Sequence, residues 1–445
     1  MRFLPQKLSG VFYRFACRTA FLLAPALAGC ASSPALRAAE AHDLPTLARE
    51  IETEIKANDL TAAEARAIAK AVSVHAVQNA KGDSGLKTLE AYGRCSRVLD
   101  SAFEKRSNDT DEIAASAALT RLENGQLSPD DARESASRSG VHMLWRAVDA
   151  RALIRPEDGA ARRERLVDGD QEVRVAALRA SADAGDIADA DILADAARLD
   201  PYPLARTLAI RAIARTAMGE RAVLTLRDLW TRADDDARQS IADAWATERI
   251  IDAGGRRELW WAAEHHHGAP AIAAAAALAR FKGDGWSEAI GVLARAIESG
   301  DTKDRVFAIG VAPAHEQVIE EALRKAIDDK DDAVVVAVAW RLLSGVGRNT
   351  VEEKDRKALV AKLLEYAKSS TTRGFQAQKA LAKTGVREVL PLLDKQIKLA
   401  DTRARETTGV AYVDLGEAAK AAPLIADKDL GVRAAVACAL VESDK

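Results

Sequence analysis

Aromatic residues are scarce. Phe 8, Trp 7 and Tyr 5 make up 4% of the 445 residues. Gly 26 and Pro 12 are also few. An all-β fold needs strand formers and frequent turn residues, so this scarcity excludes one. There is no basic excess: Lys+Arg 64 stand against Asp+Glu 67, a net charge of -3. A general nucleic-acid binder would carry clustered positive charge. No apolar run approaches the roughly 18 residues that a membrane-crossing helix requires. Disorder is excluded in turn, because 48% of residues are hydrophobic. No Gly-rich phosphate loop, Gly-x-Ser-x-Gly elbow or Cys-x-x-Cys pair occurs.

What remains is rich in Ala, Leu, Arg, Asp and Glu, mostly strong helix formers plus a capping residue. The N-terminus is organised differently from the rest. Residues 1–30 hold no acid but carry Arg2, Lys7, Arg14 and Arg18, followed by the apolar run Ala20–Ala28. A basic start and a short apolar core read as an export signal. The run closes on Leu27-Ala28-Gly29-Cys30. This tetrapeptide resembles the lipobox of bacterial lipoproteins. The resemblance implies cleavage before Cys30, lipid on its sulfur and an acylated new N-terminus. Several acyl chains give stable anchoring where one is marginal. Absence of Asp after Cys30 implies the outer membrane, facing the periplasm, in a two-membrane host. Residues 1–29 are then the signal and 30–43 a lipidated tether, about 40 Å long when fully extended. Removal of the signal lowers Lys+Arg to 60 against 67, a mature charge near -7.

The rest of the chain repeats. Asp168–Arg179 (DGDQEVRVAALR) and Asp427–Val441 (DKDLGVRAAVACALV) both read Asp-x-Asp-x-x-Val-Arg, then an Ala-rich helix. The arginine position recurs at Arg174, Arg206, Arg238, Ala271, Arg305, Val335, Arg373, Arg405 and Arg433, in steps of 28 to 38 residues. Each unit adds an earlier helix with larger apolar residues at i, i+3, i+4 and i+7, such as Lys357–Tyr366. Small side chains on the Ala-rich helices place those helices inside the stack. Asp residues ahead of them cap their N-termini. These units resemble the HEAT-repeat family, in particular its short bacterial phycobilisome-lyase-like form, over residues 160–445. The resemblance implies an all-α fold, an α-solenoid of stacked antiparallel helix pairs. It also implies an Asp/Arg ladder between units through Asp168, Asp170, Arg174, Arg206, Arg238, Arg305, Arg373, Arg405, Asp427, Asp429 and Arg433. It transfers no lyase residues.

Residues 44–159 are helical but less periodic. Thr61-Ala-Ala-Glu64 forms a capping box, and Ser128-Pro129-Asp130-Asp131 starts another helix. The region reads as divergent repeats or a cap. The array is expected to be a curved rod on the order of 80–100 Å, at ordinary helix spacing. Cys95 and Cys438 would then lie far apart, beyond disulfide reach, as two buried free thiols.

Candidate chemistry is sparse. His265-His266-His267 is a poor metal site, since adjacent helical residues diverge by about 100°. His315-Glu316 is a single dyad. The runs Asp234–Asp236 and Asp328–Asp332 read as helix caps rather than calcium loops. Trp230, Trp245, Trp260, Trp261 and Trp286 cluster in an aromatic-poor chain. Most fill the core, but Trp260, Trp261 and His265 mark a candidate partner surface. The expected protein is a lipid-anchored scaffold or adaptor for unidentified proteins at the bacterial envelope, with no nucleic acid and no cofactor, and not an enzyme. The alternative is an envelope enzyme or metal-dependent factor on the same solenoid.

Overall fold

The computed structural model describes residues 32–139, 142–216, 219–344 and 353–443. Cys30 and its lipobox lie outside the described residues. The described chain is helical throughout and contains no strand. Its N-terminal helices are α1 (Pro34–Glu40), α2 (Leu44–Ala57), α3 (Ala62–Gln78), α4 (Gly82–Gly93), α5 (Asp100–Ser107), α6 (Glu112–Glu123), α7 (Pro129–Ser139) and α8 (Met143–Ala152). The middle set is α9 (Gly159–Leu166), α10 (Gln171–Ala184), α11 (Ala190–Leu199), α12 (Pro203–Arg215), α13 (Glu220–Arg232), α14 (Asp235–Trp245), α15 (Glu248–Ile250), α16 (Arg256–His265) and α17 (Gly268–Leu278). The C-terminal set is α18 (Trp286–Ser299), α19 (Thr302–Val311), α20 (Gln317–Lys325), α21 (Asp332–Leu343), α22 (Glu353–Ala367), α23 (Thr372–Lys383), α24 (Leu390–Gln396), α25 (Thr402–Asp414), α26 (Ala418–Ala421) and α27 (Leu430–Glu442). None of them is long and apolar enough to cross a membrane.

Caps explain where many of these helices begin. The Thr61 hydroxyl accepts from the Glu64 N–H at 3.1 Å, and Ser128 accepts from Asp131 at 3.1 Å. Asp234, Asp301 and Asp429 accept from the backbone N–H three residues on, at 2.8, 2.9 and 3.1 Å. Each carboxylate satisfies a first-turn donor that the helix itself cannot.

Packing follows chain order. The even-numbered helices from α6 to α14 pack each on the next, and the series continues through α17, α19, α21, α23, α25 and α27. Their alanines lie buried between neighbours: Ala176, Ala209, Ala242, Ala275, Ala308 and Ala339 are at most 2% exposed. The helix before each packs outside it. Contacts among these outer helices are sparser.

The two ends of the array meet. α27 packs on α3 and α4, and α3 leads through α5 back to α6. The succession of packed helices therefore returns to its start within one compact unit, Pro34–Lys445. Val72, Leu89, Val436 and Leu440 lie in one apolar cluster and are at most 1% exposed. Each such burial contributes about 1.5–3 kcal/mol. Gly409 allows α25 this near to α27, because a Cβ there would overlap the Val436 side chain.

The closure corrects two expectations. Cys95 and Cys438 are buried, but they are not free thiols: they form a disulfide, with Cα atoms 5.4 Å apart across 343 residues of sequence. Nor is the array an open rod with separated ends. A third correction concerns residues 34–43. They are not an extended tether, since α1 docks on α2 and α3 with Ala35 and Ala39 fully buried.

Some arginines bridge successive helix pairs, and others brace the corner before their own helix. Arg174 donates to both oxygens of Asp200, at 2.7 and 3.1 Å, and to the Asp168 carbonyl at 2.9 Å. Arg405 does the same with Asp427, at 2.6 and 3.1 Å, and with the Leu399 carbonyl at 3.2 Å. Arg305 pairs with Asp329 and donates to the Ile297 carbonyl at 2.9 Å. Asp168 and Asp170 accept from Arg146 on α8. Arg206 and Arg238 reach carbonyls of Asp200 and Trp230, at 3.0 and 3.3 Å, and Arg238 also meets Asp235 at 3.4 Å. Arg373 turns to Asp332, at 3.5 Å. Arg433 donates to the Asp427 and Lys428 carbonyls, while Asp429 caps its helix.

Burial would raise the Asp200 carboxyl, but the Arg174 hydrogen bonds and the Tyr202 N–H hold it below its ordinary value. The Arg174 and Asp200 side chains are 13% and 4% exposed. Removing one partner strands a buried charge. Arg174→Ala should cost about 3–5 kcal/mol in urea unfolding, and Arg174→Met with Asp200→Leu should recover much of it. A loss below about 0.5 kcal/mol for the single variant would show that the pair is not structural.

Candidate functional site

The tryptophan cluster divides into a core part and a surface part. Trp230 and Trp245 are fully buried and stack at 5.1 Å. Nearby, α16 carries Glu258, Trp261 and His265 on successive turns, with Trp260 beside them in sequence. Trp260 and Trp261 point different ways, as neighbouring helical residues must. Trp260 is 41% exposed and rests beside Gly285. Trp261 is half-buried under the Arg227 guanidinium, 4.5 Å from its ring centroid. Arg227 is held in place by Glu258, a fully buried carboxylate at 2.6 Å that also takes Arg257 at 3.2 Å.

The three histidines serve three different purposes. His265 stacks on Trp261 and contacts its carbonyl at 3.0 Å through Nδ1. His266 Nε2 accepts from the Trp230 indole N–H at 2.9 Å. His267 directly precedes α17. Burial, then the nearby Arg238, His265 and His267, push the His266 imidazole below its ordinary value. The neutral ring has the lone pair that Trp230 requires.

A groove of about 820 Å³ opens beside these rings, between the α16–α17 corner and α18. His265, His266, Glu264, Glu288, Arg295 and Asp304 supply its polar walls, and Ile272, Val292 and Ala296 its apolar floor. Gly268 takes a φ of 68° at the corner, which a side chain there would resist. Burial first, then Asp301 and Asp235, push the Asp304 carboxyl above its ordinary value. A smaller groove of about 440 Å³ lies under Trp260 and shares Glu288 with the first. Of the sequence candidates, His265 thus lines the larger groove, Trp260 the smaller, and Trp261 packs between the Arg227 and histidine side chains.

No protein-family model matches the chain, and no curated protein matches it. The geometry is therefore the basis for a functional reading. Among the described residues, no three His, Cys, Asp or Glu side chains are grouped to hold a metal ion. His315 contacts Glu316 at 3.1 Å. In the acidic runs, Asp234 and Asp331 are helix caps, and Asp328 pairs with Lys362 at 2.6 Å. Reasoning from sequence missed Arg227, Glu258, Glu288, Arg295 and Asp304. Glu258 alone carried a local signal, lying three and seven residues before Trp261 and His265 on one helix face.

Trp230 depends on a neutral His266. His266→Ala should lower stability by about 1–3 kcal/mol by leaving a buried indole N–H unpaired, and His266→Gln should lose less. Because folding lowers the imidazole pKa, the stability that the wild-type bond contributes should be complete above about pH 6.5 and decline as pH falls below it. Tryptophan fluorescence read against pH checks this. An identical acid transition in His266→Gln would contradict it.

Proposed function

We propose that the chain is a lipid-anchored, HEAT-like α-solenoid that binds and scaffolds another protein at a bacterial envelope membrane. The observation that carries this reading is the groove between α16–α17 and α18. It joins an apolar floor to polar walls that include the His265 and His266 rings, and Trp260 stands in the adjoining smaller groove that shares Glu288. Such a combination suits an extended segment of a partner protein. Apolar contacts and a few anchoring rings supply affinity there, and the charged walls supply selectivity. Glu264, Glu288 and Asp304 outnumber Arg295 along the walls, which favours a segment carrying basic residues.

The address rests on the residues around Cys30. Arg2, Lys7, Arg14 and Arg18 precede an apolar run that ends in Leu-Ala-Gly-Cys, in the order that export and lipidation require. The Asp/Arg pairs between successive units and the helix-on-helix order support the HEAT-like reading. An anchored scaffold gains effective concentration from confinement near the membrane, so modest groove affinity suffices.

A photo-crosslinking residue at Arg295, in intact cells, tests the groove. It should give one reproducible covalent adduct with another protein, and Trp260→Ala with His265→Ala should reduce it. Absence of any reproducible adduct would overturn the scaffold reading. Cys30→Ser tests the anchor separately: the protein should leave the membrane fraction, and unchanged retention would contradict lipidation.

A further inference from the structure

The N-terminal edge of the closure contains a pair of histidines in an unusual position. α1 ends in a turn in which the His42 N–H donates to the Ala39 carbonyl and the Asp43 N–H to the Ala38 carbonyl, both at 3.0 Å. This ending requires a left-handed residue, and His42 supplies it with a φ of 54°. Glycine is the usual occupant, because a side chain is disfavoured there. The imidazole compensates by stacking on His75 of α3, with centroids 4.3 Å apart and planes 14° from parallel. Nδ1 of each ring is closed to solvent and makes no hydrogen bond among the described residues.

The groups around this stack carry both signs, but the charges that act on His42 are those of His75 and Arg433. The Arg433 charge, on α27, acts on His42 and on the fully buried Tyr92 of α4. On α3 and α1, Lys70 and Glu40 line the groove next to His75, one base against one acid. Asp43 directs its carboxylate to the Thr46 N–H at 3.1 Å, and Glu54 of α2 accepts from the Ala35 N–H at 3.2 Å. A proton on His42 therefore meets His75 and Arg433 with little opposing charge. Burial, then His75, then Arg433, hold the His42 imidazole below its ordinary value.

We propose that the His42–His75 stack is an acid-sensitive latch that holds α1 on α3 and releases it on acidification. The sign follows from the charges. With both rings neutral, stacking and the buried Ala35 and Ala39 keep α1 docked. As pH falls from about 6.5, the undocked chain takes up a proton that His42 in the stack resists, so docking weakens. α1 is the element that yields, because it is short and buries little besides alanine. With an anchor at Cys30, release would return residues 31–43 to a leash of up to about 40 Å and let the body move away from the membrane. That consequence rests on the proposed lipidation; the latch itself does not.

Hydrogen exchange on the full chain tests the latch. After correction for intrinsic rates, amides of residues 35–43 should progressively lose protection between about pH 8 and pH 5, as the undocked state binds the proton more readily. Residues of α10 should keep theirs. His42→Asn tolerates the left-handed turn without titrating, and His75→Phe keeps an aromatic stack. Both should flatten the pH response. No loss in the wild type, or an equal loss in both variants, overturns the proposal. So does an NMR titration in which the wild-type His42 ring protonates outside the interval where exchange changes.

Discussion

Close packing of alanine against alanine is the constraint on which this fold depends. A helix faced with small side chains can lie nearer its neighbour than one faced with Leu or Trp, within the usual range of about 8–10 Å. Here the inner helices present Ala176, Ala209, Ala242, Ala275 and Ala308 to one another. The outer helices use larger residues, such as Leu226, Leu293 and Leu363. α27 meets α3, and the apolar seam and the Cys95–Cys438 bond hold the two together.

Closure changes what the ends of a repeat array have to be. An open array needs polar caps at both termini to shield its last apolar faces. In this chain each end covers the other. Leu89 and Val72 are buried with Val436 and Leu440 rather than facing solvent. A bond across 343 residues also restricts the unfolded chain strongly, worth roughly 3–6 kcal/mol in the loop-entropy account. The N-terminal helices therefore cannot complete their packing until the C-terminal ones are present.

Much of the local architecture was legible in the sequence. The Asp-x-Asp-x-x-Val-Arg segments located second helices, and Thr61, Ser128 and Asp234 marked helix starts because capping is a local interaction. The divergence of Trp260 and Trp261 followed from helical geometry. Contacts between distant elements were not legible. Nothing near Cys95 points to Cys438, and α1 reads as a tether because its few alanines give no strong periodic signal. Arg146 escaped notice because no Asp-x-Asp precedes it, although it joins Asp168 and Asp170 28 residues ahead of Arg174. The groove was hidden for the same reason: His265 and Asp304 belong to different units and meet only when α16, α17 and α18 assemble.

The most direct test of closure is peptide mapping without reduction. Trypsin cuts after Arg94, Arg97 and Arg433, so a closed array predicts the short peptide Cys95–Arg97 joined to Ala434–Lys445. The linked pair should be the dominant form in protein purified from an oxidising compartment. Two separate peptides, each fully alkylated at its cysteine before reduction, would contradict the account.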